Sequence, residues 1–165
     1  MAARYWLMKS EPDVYSIDDL ARDKKTYWDG VRNYQARNFM RDPMRPGDRV
    51  FFYHSNAEPS GIAGIAEVAS RGYTDPSASD PKDKHCDPST KPDKPVWYCV
   101  DIKFVEKFGR ILSLEELREI PGLEKMLLLR RGQRLSVQPV TPEEWAAIMR
   151  HLKKSGVGND KVLRL

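Results

Sequence analysis

Two stretches in the first half of the chain demand a β-sheet. Arg49-Val50-Phe51-Phe52-Tyr53-His54 and Ile62-Ala63-Gly64-Ile65-Ala66-Glu67-Val68-Ala69 are dense in β-branched, aromatic and small apolar side chains. Between them Ser55 to Gly61 supplies Asn, Pro, Ser and Gly, the residues of tight turns. A connection this short brings the second strand back antiparallel, so the pair is predicted to be a hairpin. The small residues Ala63, Gly64 and Ala66 predict a close approach by another element, or a bulge.

More strands are expected on either side. Arg4-Tyr5-Trp6-Leu7-Met8-Lys9 reads as a short buried strand, Val96 to Val105 as the longest, and Arg134 to Val140 as a last, alternating one. Short helices separate them. Ser16-Ile17-Asp18-Asp19 has the form of a capping box and predicts a helix over 17–22, with Asp23-Lys24-Lys25 a polar turn behind it. Asn33 is placed to cap a helix over 34–41, with Phe39 and Met40 facing inward. Ser113-Leu114-Glu115-Glu116 opens a short helix, and Met126 to Leu129 is a buried turn or short helix. Thr141-Pro142-Glu143-Glu144 opens a longer helix through Trp145, Ile148, Met149 and Leu152. Trp97 and Trp145 are assigned to the core. The tail from Ser155 to Leu165 is broken by Gly and ends basic.

At 165 residues, with 40% hydrophobic and 32% charged side chains, a single globular domain is the expectation. Strands separated by short helices without a βαβ rhythm predict an α+β fold, a small mixed sheet curled into a barrel. Thr74 to Pro95 holds five Pro, five Asp and four Lys and is expected to be an exposed, irregular inserted loop.

The net charge is +4 with a pI near 9, which is compatible with nucleic-acid contact but does not require it. No apolar run approaches the roughly 18 residues of a membrane span, and no membrane partner is expected. Two cysteines, Cys86 and Cys99, form no disulfide framework, which predicts a reducing, cytoplasmic setting. There is no GxGxxG, Walker loop, HExxH or GxSxG. His85-Cys86 with distant Cys99 makes a poor metal site. Neighbouring strand residues point to opposite faces, so His54 and Ser55 cannot form a direct dyad. No cofactor, no metal and no catalytic group is expected.

Recognition chemistry is better represented. Tyr27 to Arg41 packs one Trp, two Tyr, two Asn, one Gln and three Arg into fifteen residues, with Asp29 the single acid. Flat rings beside amides and cations suit a planar polar ligand, and a nucleobase is the natural candidate. An ordinary core Trp followed by an amphipathic helix fits the same composition. Gly30 beside Trp28 can adopt a positive φ, which favours a loop there.

Tyr5-Trp6-Leu7-Met8-Lys9-Ser10-Glu11-Pro12, then Trp28-Asp29-Gly30-Val31-Arg32-Asn33-Tyr34-Gln35-Ala36-Arg37-Asn38, then Phe51 to Asn56, Gly61 to Gly64, Arg134 to Val140 and Glu144-Trp145 resemble the EVE domain family. The resemblance covers essentially residues 1–165 and implies one PUA-like domain, a small mixed β-barrel with flanking short helices, with the 74–95 loop inserted. It is similar also to the YTH domains, which hold a methylated adenine in an aromatic cage. In that likeness Lys9-Ser10 and Trp28 match, whereas Tyr53 and His54 stand where YTH cages use a second Trp. The implied function is non-catalytic binding of a modified base in DNA or RNA, by a monomer. The expected base pocket is Ser10, Trp28, Asn33, Tyr53, His54, Ser55 and Asn56, with Lys9, Arg32 and Arg37 holding neighbouring phosphates. Two alternatives stay open: a hydrolase or nuclease using His54 or Glu11 as base, and a protein-interaction module.

Overall fold

The computed structural model describes residues 4–90 and 93–156. The expected basic end of the tail, from residue 157 onward, lies outside them. Eight strands and four α-helices are formed among the described residues: β1 (Tyr5–Ser10), α1 (Ile17–Asp23), β2 (Lys25–Tyr27), α2 (Tyr34–Arg41), β3 (Arg49–His54), β4 (Gly61–Val68), β5 (Tyr73–Thr74), β6 (Tyr98–Cys99), β7 (Asp101–Ser113), α3 (Leu114–Arg118), β8 (Val137–Val140) and α4 (Pro142–Ser155). Single 3-10 turns cover Pro76–Ser79 and Leu127–Leu129. Six strands form one sheet in the order β2-β7-β4-β3-β1-β8, and β5 pairs with β6 alone. The sheet curls into a half-barrel, which gives the α+β, PUA-like architecture expected.

The predicted hairpin is β3 and β4, antiparallel from Arg49↔Glu67 to His54↔Gly61. Its register shifts between Phe52 and Tyr53, and the pairing of β4 with β7 shifts on both sides of Gly64. A Cβ at Gly64 would lie 2.2 Å from the Glu106 carbonyl oxygen, so the glycine is what lets β7 approach. β1 lies between β3, to which it is parallel, and β8, to which it is antiparallel.

Alternation along the central strands sends side chains to two cores. Trp6, Met8, Val50 and Phe52 face α1, α2 and the Trp28 loop. Leu7, Phe51, Tyr53 and Ile65 face α3, α4 and the 3-10 turn at 127–129. On that second side Trp145 stacks on Phe51 at 3.8 Å and on Tyr5 at 4.6 Å.

Helix starts are where the caps put them. Ser16 and Asp19 form a reciprocal capping box, as do Thr141 and Glu144, while the Asn33 and Ser113 side chains accept from the amides of Ala36 and Glu116. Three expectations change. Lys25 is not turn but the first residue of β2, because Lys25–Tyr27 find β7 across from them. The longest strand is 101–113, not 96–105. Val96 and Trp97 precede it in irregular chain, and Trp97 is buried beneath Tyr34 rather than within a strand. The inserted loop is irregular, but Asp75, Ser77 and Ala78 at its start are buried.

Candidate functional site

A cavity of about 730 Å³ opens where the ends of β1 and β2 meet the inserted loop. Its walls come from Lys9 and Ser10, from Val14 and Tyr15 ahead of α1, from Thr26 through Arg32, from Lys82 through His85, and from Ser136. Trp28 forms one wall. Its amide donates to the Val100 carbonyl at 2.8 Å, which continues the β2–β7 pairing past the strand end. Its ring meets Phe52 edge-on at 5.5 Å and is 8% exposed, so it closes the core and faces the cavity at once. Tyr15 and Tyr27 add two more rings, Tyr27 well exposed.

The Lys82–His85 wall is clamped onto the Trp28 segment. Asp75 is buried and accepts from the Gly30 amide (2.8 Å), from Arg32 Nη1 (3.0 Å), and from the Ser77 amide and hydroxyl (2.8 and 2.7 Å). Burial alone would raise this carboxyl. The bonds from Ser77, Gly30 and Arg32 together outweigh it and hold the group below its ordinary range. The Arg32 guanidinium also donates to the His85 carbonyl through Nε (3.1 Å) and Nη2 (2.6 Å), reaches Ser77 Oγ, and lies 5.3 Å from the Trp97 ring centre. Gly30 has φ +77°, and a Cβ there would fall 2.7 Å from His85 Nε2. Only glycine allows both the turn and the imidazole lying on it.

Of the residues expected from sequence, the cavity gathers Ser10, Trp28, Lys9 and Arg32. Arg32, however, has its donors spent inside the protein, because the buried Asp75 charge needs a partner. Tyr53 is not on the cavity wall: it sits one residue along β3 from Phe52 and points into the opposite core. His54 is buried, and its Nε2 accepts from the Ile17 amide at 3.1 Å at the start of α1. Burial holds the imidazole below its usual pKa, in the neutral form that this bond requires. Ser55 and Asn56 also lie off the cavity wall. The Ser55 amide continues the β1–β3 pairing by donating to the Ser10 carbonyl, and Asn56 donates to Glu11 Oε1 at 2.6 Å. Asn33 is the exposed cap of α2. Arg37 is likewise off the wall; it donates to the Val96 carbonyl at 2.8 Å and to Asn38. His54 and Glu11, the two bases an enzymatic reading requires, are thus engaged in local structure.

Tyr15, Tyr27, Asp29, Lys82, Lys84 and His85 line the cavity without having been singled out as base-pocket or phosphate residues. Tyr27 and Asp29 lay inside the aromatic stretch. The lysines lay in a loop whose composition reads as solvent-exposed, and no local signal ties that loop to Gly30. Lys82 and Lys84 are exposed on the rim, and Lys9 is half-buried, which lowers its pKa.

Asp29, half-buried, has its carboxyl raised, first by desolvation and then by the charge of Asp75. His85 Nδ1 lies 3.1 Å from Asp83 Oδ1. Asp29, Asp83 and His85 could each offer one atom to a cation, all within 4.8 Å of one another. Cys99 does not join them: it is fully buried, and burial pushes its thiol up to about 12. The arrangement as a whole offers aromatic walls, carboxylate and hydroxyl acceptors within, and ammonium groups at the mouth.

Comparison with known proteins agrees with this fold. The model of the EVE domain matches residues 4–151. Human thymocyte nuclear protein 1 is 42% identical over 163 residues, 88% of this chain and 72% of that protein. A crystal structure of a Pseudomonas syringae protein superimposes with a TM-score of 0.86 at 50% identity, covering 89% of this chain and 98% of the other. The human THYN1 protein in complex with DNA containing 5-methylcytosine superimposes with a TM-score of 0.83 at 42% identity, covering 88% and 95%.

Proposed function

The chain belongs to the EVE domain family, and on that premise we propose that it is a non-catalytic reader of a modified base in DNA, with 5-methylcytosine as the base. The observation that carries this reading is the cavity walled by Trp28. At about 730 Å³ it falls within the range of small-ligand pockets, roughly 300–1,000 Å³, and has room for a flipped-out nucleoside. The solved human relative bound to 5-methylcytosine DNA supports the choice of base and of DNA over RNA. The rings of Trp28, Tyr27 and Tyr15 supply the stacking surface. Lys9 at the end of β1 and Lys82 and Lys84 on the inserted loop line the same cavity and supply the cations to hold the flanking phosphates.

Burying one methyl group against such a wall is worth about 0.8 kcal/mol, roughly a fourfold preference for the methylated base. The test is anisotropy binding to matched DNA and RNA duplexes carrying cytosine or 5-methylcytosine. Wild type is expected to bind methylated DNA most tightly. Tyr27→Ala and Trp28→Phe should each weaken that binding, Tyr27→Ala by about 1–3 kcal/mol if a base stacks there. Trp28→Phe keeps an aromatic contact with Phe52. Unchanged affinity in both variants refutes the pocket.

A further inference from the structure

A methyl group alone does not identify 5-methylcytosine, because thymine carries the same methyl at the same position. The two bases differ at position 4, where cytosine presents an amine donor and thymine a carbonyl acceptor. A pocket built only from aromatic walls would accept both. We propose that Asp29 is the residue that reads position 4: its carboxylate accepts from the exocyclic amine and excludes thymine and uracil. This rests on the cavity being the base site and adds to it the residue that sets which base enters.

Four observations carry the assignment. Asp29 directly follows Trp28, both line the cavity, and an Asp29 carboxylate oxygen lies within 4.8 Å of ligand atoms of Asp83 and His85 on the same wall. No side chain donates a hydrogen bond to it, and no Lys or Arg pairs with it, among the described residues; its ionisable neighbours include Asp75, Asp83 and His85. A carboxylate with that surplus of acceptor capacity gains from an N–H donor and is repelled by a carbonyl.

Thirdly, Ser10 presents the same polarity. Its hydroxyl donates to the Tyr15 carbonyl at 2.7 Å, so it offers lone pairs, not a proton, to the cavity. Lastly, donors that could have served an oxo base are consumed nearby. The Trp28 amide is bonded to Val100, the Gly30 amide to Asp75, and the Arg32 guanidinium to Asp75, Ser77 and His85. With these donors spent, the acceptors of Asp29 and Ser10 are the complement of an amino base. Desolvation, which already raises the Asp29 carboxyl, makes a bonded amine more valuable there than in water.

The test uses the full chain and one DNA duplex sequence in which 5-methylcytosine, thymine, uracil or 5-methyl-2-pyrimidinone stands opposite an abasic site. With no partner base, the cost of flipping is nearly equal across the series. Wild type is expected to bind 5-methylcytosine about tenfold to a hundredfold more tightly than thymine. The pyrimidinone, which keeps the methyl but lacks the amine, should lose a similar factor with the unaltered protein. Asp29→Asn, which can turn an amide N–H toward a carbonyl, should collapse the ratio to within about threefold. Asp29→Ala should weaken 5-methylcytosine without improving thymine.

The proposal is overturned if Asp29→Asn keeps the wild-type ratio, or if the pyrimidinone binds as tightly as 5-methylcytosine. It is also overturned if selectivity vanishes in EDTA, returns with a divalent cation, and is abolished equally by Asp83→Asn and His85→Gln. Asp29 would then be a cation ligand. Failure of the underlying site looks different: wild type would not distinguish 5-methylcytosine from cytosine, and Tyr27→Ala and Trp28→Phe would leave binding unchanged.

Discussion

Arg32 separates two accounts of the same side chain. Sequence places it among the phosphate-holding cations; the structure shows it clamping the inserted loop. Its side chain is 23% exposed and that of Asp75 is fully buried, and their ion pair is 3.0 Å long. Removing one partner of a buried pair leaves the other charge without compensation, which costs about 3–5 kcal/mol. Asp75 keeps its bonds from Ser77 and Gly30, so Arg32→Ala should fall near the lower end, about 3 kcal/mol. Urea unfolding followed by Trp fluorescence measures it. If the large variant does not fold, Arg32→Lys retains a charge but not the planar fork and should show a smaller loss.

A double-mutant cycle with Asp75→Asn isolates the pair. With the buried charge gone, Arg32→Ala should cost at least about 1 kcal/mol less than in wild type. The pair also has a pH signature. Asp75 lies below its ordinary 3.8 when folded, so its stabilising contribution is complete above that value and is lost as pH falls through the folded pKa. Asp75→Asn should remove this part of the acid limb. The clamp is refuted if Arg32→Ala leaves stability within about 0.5 kcal/mol of wild type, as for an ordinary surface change. It is refuted doubly if the variant also lowers the slope of log affinity against log salt by about 0.9, the mark of one phosphate no longer neutralised.

The rim lysines should behave in the opposite way. Lys82→Gln and Lys84→Gln are expected to leave the unfolding midpoint unchanged. Each should lower the salt slope by about 0.9 for every phosphate it had neutralised, equally for methylated and unmodified DNA. His54→Ala removes the acceptor for the Ile17 amide and should cost about 1–3 kcal/mol in urea unfolding. Because burial lowers the folded pKa of His54 below 6.5, its contribution is present above that value and lost as pH falls, so the wild-type advantage over His54→Ala should shrink in acid. Gly30→Ala puts a side chain at φ +77° and into the His85 ring. It should cost about 1–2 kcal/mol from the backbone alone and shift the His85 imidazole signals in an NMR spectrum.

Local chemistry was legible in the sequence and long-range pairing was not. Ser16 with Asp19, Thr141 with Glu144, Asn33 and Ser113 each start a helix using atoms within three residues, so their patterns could be read directly. The β3–β4 hairpin was legible for the same reason. Lys25–Tyr27 became a strand only because residues 101–103 lie opposite, and β7 runs on to Ser113 because β4 pairs with it along its length. On the cavity wall, Ser10 and Trp28 were legible from their neighbours. Tyr53 was misplaced because the face a strand residue takes depends on where the helices pack, and here Trp28 took the Phe52 side. Asp75 and Arg32 stand 43 positions apart, and nothing local to either reveals that each completes the other.

The position of β1 between β3 and β8 has a consequence for how the protein is made. Tyr5 pairs with Val140, so the first strand cannot be enclosed until nearly the whole chain exists. At about 5–20 residues per second, the 135 residues from Trp6 to Val140 take roughly 7–27 s to synthesise. Once β3 has been made β1 has a partner on one side, while its other edge stays open to any extended segment nearby. The finished sheet closes that edge with β8, whose Pro139 has no amide hydrogen to offer a further strand. The strand that ends in Lys9 and Ser10, and so helps to shape the cavity, is thus secured late, after the ribosome has passed every other element of the sheet.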